Sequence, residues 1–288
     1  MAGPYYRNMQ LSDRGRRILL FGVAAVGYVY LASVLLGRGI AGAGGIGAID
    51  ANAYWAAAGH ALRGEPLYGV QGFAYLAYQY PPVFAQAFAP GALLPLPVFV
   101  WLWRAFELLG LRIATGSWAR TGIAILIFPP IVADLDAGNV HLIMAGVTAL
   151  AMRGVATPVG PAFLAKFSTW PLAALAWNRD RKGLLMGVAV CAVLFAASVA
   201  LTPGLWRDYA AFLASHPLPS EGYKLLVGVP LELRLAGAAA LGLAATRWVR
   251  LAPVAVMLAY PVIWFDALST LTAMITPLGR VRPAGSSG

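Results

Sequence analysis

The sequence predicts an all-α polytopic membrane protein, and three observations carry that expectation. Of its 288 residues, 60% are hydrophobic and only 11% charged, where soluble domains carry roughly 25% charged residues. Several apolar runs approach the ~20 residues that cross a bilayer as a helix. Those runs do not alternate, as the ~10-residue strands of a membrane β-barrel would. Mean hydropathy is +0.72.

The elements follow in order. Residues 1–17 form a basic N-terminal segment, and the apolar stretch after it is too long for an ordinary cleaved signal, despite the small-residue "AGA" at 41–43. An uncleaved signal-anchor helix over 18–37 is expected, with Arg7, Arg14, Arg16 and Arg17 keeping the N-terminus cytoplasmic. Residues 38–80 then lie outside. Further spans are expected near 82–95, 97–114, 121–134, 139–152, 157–177, 183–202, 225–246 and 251–275, with 276–288 a tail. "LLPLP" at 93–97 reads as a tight turn. "NRDRK" at 178–182 and "TRWVR" at 246–250 read as cytoplasmic basic loops. Simple alternation cannot place both "GLR" at 110–112 and "MRG" at 152–154 inside, so some middle segments are half-spans or re-entrant. Such backbone is tolerated at membrane depth only where it is buried in protein or lines a cavity.

Charge and composition also exclude. The net charge of +10 comes from basic residues between apolar runs, which suits a lipid surface rather than nucleic acid. The lone Cys191 permits no internal disulfide and no Cys-based metal site. No GxSxG, HExxH, Walker A or Rossmann fingerprint is present. His60, His141 and His216 are too scattered to argue a metal site.

Two external stretches are aromatic and polar. In the first, Ala53, Ala57 and Ala61, with Tyr54, Trp55 and Ala58, form an apolar face at helical spacing, as in a helix lying in the membrane interface. Asp50 precedes it, either as the cap of that helix or as a catalytic carboxylate; the two roles are compatible. The second is 202–224. "YQYPP" at 78–82 opens the next span, its prolines fitting a helix start and its tyrosines an aromatic belt.

Three features sit in apolar surroundings. "DLDAGNVH" at 134–141 is either a surface loop or a set of polar groups facing a cavity. Lys166 lies near the middle of an apolar segment, too deep to snorkel, and meets an anionic ligand group or the acid Asp266. Glu107, Glu232 and Arg234 lie nearer predicted ends and read as interfacial.

The order of these pieces resembles one family. An external Asp is followed by "YWAAAGHALRGEPLY", "YQYPP", "GNVH", "KFSTWP" and "YPVIWFDAL", which looks like the polytopic glycosyltransferases of the GT-C fold, family 87, over about residues 18–275. That family includes polyprenyl-phosphate-mannose-dependent mannosyltransferases. The resemblance implies a GT-C-like bundle of about 8–10 transmembrane helices, in a plasma membrane, with the active site outside. It implies a sugar donor carried on polyprenyl phosphate, a lipid or glycan acceptor and inversion at the anomeric carbon, with no nucleotide cofactor. Asp50 has no neighbouring acid at metal-ligand spacing, which reads against a divalent metal without deciding it. Asp50 becomes the general base and Lys166 the group facing the phosphate. Tyr54, Arg63, Tyr68, Tyr80, Asn139, His141, Trp264 and Asp266 join Lys166 as substrate-binding candidates. Four departures stand out: Gly138-Asn139-Val140-His141 replaces the usual Gly-Gln-x-Asn, the Pro after Lys166 comes late, Tyr260-Pro261 and Asp266 stand where the closing motif commonly has Ser-Pro and a His, and the chain is short. A polyprenyl-phosphate or lipid transporter and a non-catalytic glycosyltransferase-like scaffold are the alternatives.

Overall fold

The computed structural model describes residues 48–68, 78–215, 224–225 and 228–278, with most positions of 12–29. Residues 13–29 are helical at every described position, in keeping with the expected first helix. The rest of that helix, the "AGA" site, the loop positions 38–47 and 69–77, His216 and the tail beyond 278 lie outside the described residues.

Proline and glycine cut this apolar chain into short helices. Helix α1 runs Ile49–Arg63 and ends on Gly64 at φ +68°. Pro81 and Pro82 open α2, Pro82–Ala87, which passes into a 3-10 turn, Ala89–Leu93. The "LLPLP" turn leads to α3, Leu96–Thr115. The Ser117 hydroxyl caps α4, Trp118–Ile127, and Pro129 bends the chain 95° into α5, Pro129–Ala137. There follow α6, His141–Met152; α7, Val159–Ala165; α8, Leu172–Leu201; and α9, Pro203–Ser215. After α10, Leu231–Ala244, and α11, Ala252–Leu258, comes a 3-10 helix over Asp266–Ile275. Ten residues is long for a 3-10 helix, a form that recurs at strained or functional segments. The described fold is thus all-α but for one short antiparallel ladder between β1, Lys224–Leu225, and β2, Ile263–Trp264.

Among the described residues, one helix, Leu172–Leu201, is long and apolar enough to cross a membrane; the bent pair α4–α5 makes a second when read as one broken span. Most of the other expected spans divide or shorten. The 82–95 span is a single helical turn and a half joined to a 3-10 turn, 157–177 breaks at Lys166, and 225–246 contributes a helix only over Leu231–Ala244. The expected loop 178–182 lies within the helical run of α8, which breaks at Asp180 (φ −153°, ψ 70°). There the carboxylate accepts from Gly183 N–H at 2.9 Å and from Ala156 N–H at 2.9 Å. Asp180 therefore caps a new helix as well as tying it to the α6–α7 turn.

The framework is α3 packed against α6. Gly110 and Gly146 face each other so closely that a Cβ on Gly146 meets Gly110 Cα at 2.9 Å. Small residues of this kind let helix backbones approach closely. The two helices run in the same direction, since Gly110 lies beside Leu142 and the Arg153 guanidinium donates to Ile113 O at 2.8 Å. The C-terminal ends of α3 and α6 thus share one end of the molecule, because the bent α4–α5 pair returns the chain to the start of α6. The 12 residues of α6 separate that end from His141 by about 18 Å, at 1.5 Å per residue.

The expected interfacial helix is corrected here. The face of α1 containing Ala51, Ala53, Tyr54, Ala57 and Ala58 is buried within the protein. Tyr54 meets the rings of Tyr80, Phe84 and Trp103 edge-on at 5.1 Å each, and the Trp55 indole donates to Leu94 O at 3.0 Å. Edge-to-face packing of this kind adds about 0.5–1.5 kcal/mol per pair to the gain from burial.

Candidate functional site

Asp50 reaches the site through backbone geometry. Ala48, at φ 55°, occupies the cap position of α1 and provides no side-chain cap, so Asp50 is a first-turn residue and not the expected cap. Ala48 N–H donates to Asp136 O at 2.6 Å, joining the start of α1 to the end of α5. Gly138 closes α5 at φ +69°, and a Cβ there would strike Ala51 Cβ at 2.8 Å. Only glycine suits both demands, and the close approach sets Asn139 beside Asp50.

The Asn139 amide has a fixed orientation. Its Oδ1 accepts from Val140 N–H at 2.7 Å and from the Tyr80 hydroxyl at 3.3 Å. Its Nδ2 therefore donates, to Asp50 Oδ2 at 2.7 Å and to Asp266 Oδ2 at 3.3 Å. Tyr54 OH donates to Tyr80 OH at 2.9 Å, extending the chain of hydroxyls.

His141 begins α6 and is fully buried. Its Nδ1 lies 3.1 Å from Asp134 Oδ1 and 3.5 Å from Asp266 Oδ2, while Nε2 lies 2.7 Å from Lys166 Nζ. A charged Lys166 has only protons to offer, so Nε2 accepts and the imidazole proton sits on Nδ1, facing Asp134. Asp134 Oδ2 also accepts from Leu142 N–H at 2.8 Å, holding the start of α6, and from the Ser269 hydroxyl at 3.0 Å. The break between α7 and the next 3-10 turn leaves Lys166 with extended backbone. Its ammonium then lies 4.6 Å from the Tyr260 ring centroid and 5.9 Å from that of Tyr80, within cation–π range.

Burial grades across the cluster. Asp134, Asn139, His141 and Asp266 are buried at 8% exposure or less, whereas Asp50, Tyr80 and Lys166 are half-buried. Burial pushes the Asp50 carboxyl up to about 7, and Asp266 adds to the rise; Lys166 and His141 oppose it. A group titrating near neutrality suits proton transfer. Six of the sequence candidates, Asp50, Tyr54, Tyr80, Asn139, His141 and Lys166, thus come together with a seventh, Asp266.

The remaining three stand apart. Arg63 is exposed and forms a two-pronged pair with Glu65 at 2.8 and 2.7 Å, which also faces His60 at 3.1 Å. Its proximity in sequence to Asp50 misled, because thirteen residues of helix carry it away. Tyr68 acts through the backbone, donating to Tyr80 O at 2.8 Å, with its ring stacked on Phe212 at 5.2 Å. Trp264 belongs to β2, opposite Lys224.

Other groups escaped the sequence reading. Glu107 and Arg234, expected at the interface, are buried. The Arg234 guanidinium donates to Tyr260 O at 2.8 Å and Pro261 O at 2.7 Å, fixing the turn that delivers Asp266. Neither Glu107 oxygen has a hydrogen-bond partner; nothing in the fold explains it. Asp134 lies in the polar stretch 134–141 that the sequence marks out, but is not itself among the site candidates.

Asp134, His141 and Asp266 offer ligand atoms within 4.8 Å of one another, the one set among the described residues with the composition of a metal site. Metal on Nδ1 would move the imidazole proton to Nε2, directly opposite the Lys166 ammonium at 2.7 Å. A charged Lys166 and a metal at Nδ1 therefore exclude each other in this geometry. No protein-family model matches this chain, and neither does any curated protein or solved structure.

Proposed function

We propose that this protein is a membrane-embedded inverting glycosyltransferase that moves a sugar, mannose or another hexose or pentose, from a polyprenyl phosphate to a lipid or glycan acceptor at the outer face. The observation that supports it is the convergence of Asp50, Asn139 and Tyr80 with His141, Lys166 and Asp266 from distant segments. A half-buried carboxylate and a half-buried ammonium in one cluster suit the two charges that such a transfer must handle.

In the proposed reaction Asp50 takes the proton of the acceptor hydroxyl as its oxygen bonds to the anomeric carbon. The bond from that carbon to the phosphate oxygen breaks, and its electron pair stays with the polyprenyl phosphate. Lys166 neutralises the charge that develops there, a form of stabilisation that works best in a water-poor site. Asn139 holds Asp50 in place, and His141 holds Lys166. The site lies at the end of α6 remote from Arg153 and Arg179, which suits an outward-facing site under the tendency of basic residues to stay inside. Transfer needs no divalent metal in this reading and is retained in EDTA.

The test is reconstitution of the purified chain with polyprenyl-phospho-mannose. Asp50→Asn abolishes transfer while unfolding at pH 6 at a temperature no lower than that of wild type. A variant that still transfers sugar removes Asp50 from the mechanism; lipid flux without sugar transfer in the wild type points to the transporter.

A further inference from the structure

The end of the molecule opposite the site carries its own pattern. Five segments meet there, tied by side chains to backbone carbonyls. Arg153 donates to Ile113 O and Arg179 to Met152 O at 2.7 Å, Arg250 donates to Met274 O, and Thr276 donates to Ala114 O at 2.7 Å. This fixes residues 112–118, 152–156, 177–182, 247–250 and 274–277 on one surface. Asp180 is the acid among them, and its carboxylate is turned onto the Ala156 and Gly183 N–H groups.

Three arginines on this surface lie over tryptophan rings. The Arg112 guanidinium is 5.7 Å from the Trp118 centroid, Arg181 4.1 Å from Trp177, and Arg247 5.5 Å from Trp248. The rings are open, at 63%, 49% and 60% exposure. A guanidinium over a ring still has N–H groups to offer a phosphate, and an exposed indole favours the boundary between headgroups and hydrocarbon. From here α8 continues as an apolar rod with 17% of its most apolar stretch buried within the protein.

We propose that this surface binds the phosphate headgroups of anionic phospholipids, with Arg112–Trp118, Arg181–Trp177 and Arg247–Trp248 as its three contact pairs. The positive charge matches an anionic leaflet, and the indoles beside an apolar rod match its hydrocarbon edge, a combination that nucleic acid does not offer. Binding here fixes the chain with Arg181 toward the charged leaflet and Asp50 toward the other. It does not depend on the reaction proposed for Asp50.

The test is thermal unfolding of the full chain in neutral-detergent micelles containing phosphatidylglycerol or phosphatidylcholine, titrated over lipid concentration. Phosphatidylglycerol raises the unfolding temperature more than phosphatidylcholine does. In R112Q/R181Q/R247Q that difference shrinks, the apparent affinity falling on the order of a hundredfold, about fivefold per arginine. The single variants give the same readout should the triple variant fail to fold. Equal shifts with the two lipids, or a triple variant that keeps the difference, overturn the proposal. An equal rise with inorganic phosphate or a single-stranded oligonucleotide overturns it too, since the surface then reads phosphate without a membrane.

Discussion

The titration of Asp50 links its surroundings to a measurable rate. Its carboxyl is raised from 3.8 to about 7, so about a tenth is ionised at pH 6 and about a hundredth at pH 5, one decade per pH unit. A general base acts only when ionised. The value of kcat/KM for sugar transfer therefore rises with pH along an acid limb centred near 7, where an unperturbed carboxylate would show a flat profile from about pH 5 upward. The neighbours shift that limb in opposite directions. Lys166→Met removes a cation that lowers the Asp50 value, so the midpoint rises; Asp266→Asn removes an acid that raises it, so the midpoint falls. Both variants lose rate as well, but the midpoint is independent of amplitude. The assay is single-turnover transfer from radiolabelled polyprenyl-phospho-mannose across pH 5–9. A limb at or below pH 5, or both substitutions moving the midpoint the same way, would refute the reasoning. The same shift acts on folding. The folded state holds this proton more tightly than the unfolded chain, so the stability it contributes is present below about pH 4 and is lost as pH rises through 7. Wild type accordingly loses unfolding temperature relative to Asp50→Asn across that window.

Other outcomes follow from the same geometry. Asp134→Asn leaves Leu142 N–H and Ser269 competing for an amide and unlocks the His141 tautomer; KM for the polyprenyl-phosphate donor rises at least tenfold, measured by initial rates, and the conservative Asp134→Glu recovers part of it. Gly146→Val drives a side chain into Gly110, whose backbone is already at 2.9 Å from a Cβ, and costs about 1–3 kcal/mol or more in denaturant unfolding. Arg234→Met strands the buried Tyr260 carbonyl; at about 1–3 kcal/mol for a buried group left unpaired, it lowers the unfolding temperature as well as activity. Arg63→Ala breaks only an exposed pair with Glu65 and leaves transfer unchanged by the same rate assay.

The polar residues were more legible than the helices around them. Asn139, His141, Lys166 and Asp266 could be singled out because an ionisable or amide group within an apolar run is costly without a partner, and the sequence shows where that cost is incurred. Asp50 stood out by its place ahead of a helix in an external stretch and by the family resemblance. Which partner it meets depends on contacts across up to 127 residues, as between Asn139 and Asp266, and no local pattern encodes those. Helix lengths were read from hydropathy alone, which continues through Pro129 and Lys166 although the backbone bends or breaks there. The same smoothness hid the Asp180 cap, because a basic loop and a capped helical break look alike in composition. Glu107 was placed near an end by counting along α3, yet its depth comes from α6 crossing at Gly110. The α1 face was legible as apolar, but the protein covers it, since a period of 3.6 residues marks a buried stripe whatever buries it.

The central claim is that Asp50 is the base for sugar transfer, held by Asn139 beside the Lys166 cation. Its most direct test is single-turnover transfer by Asp50→Asn from polyprenyl-phospho-mannose, at pH 8 and in protein shown to be folded by its unfolding transition. The account predicts a rate at least a hundredfold below wild type, within the range that general-base catalysis contributes, with donor binding retained. A folded Asp50→Asn variant that transfers sugar at a rate near that of wild type contradicts it.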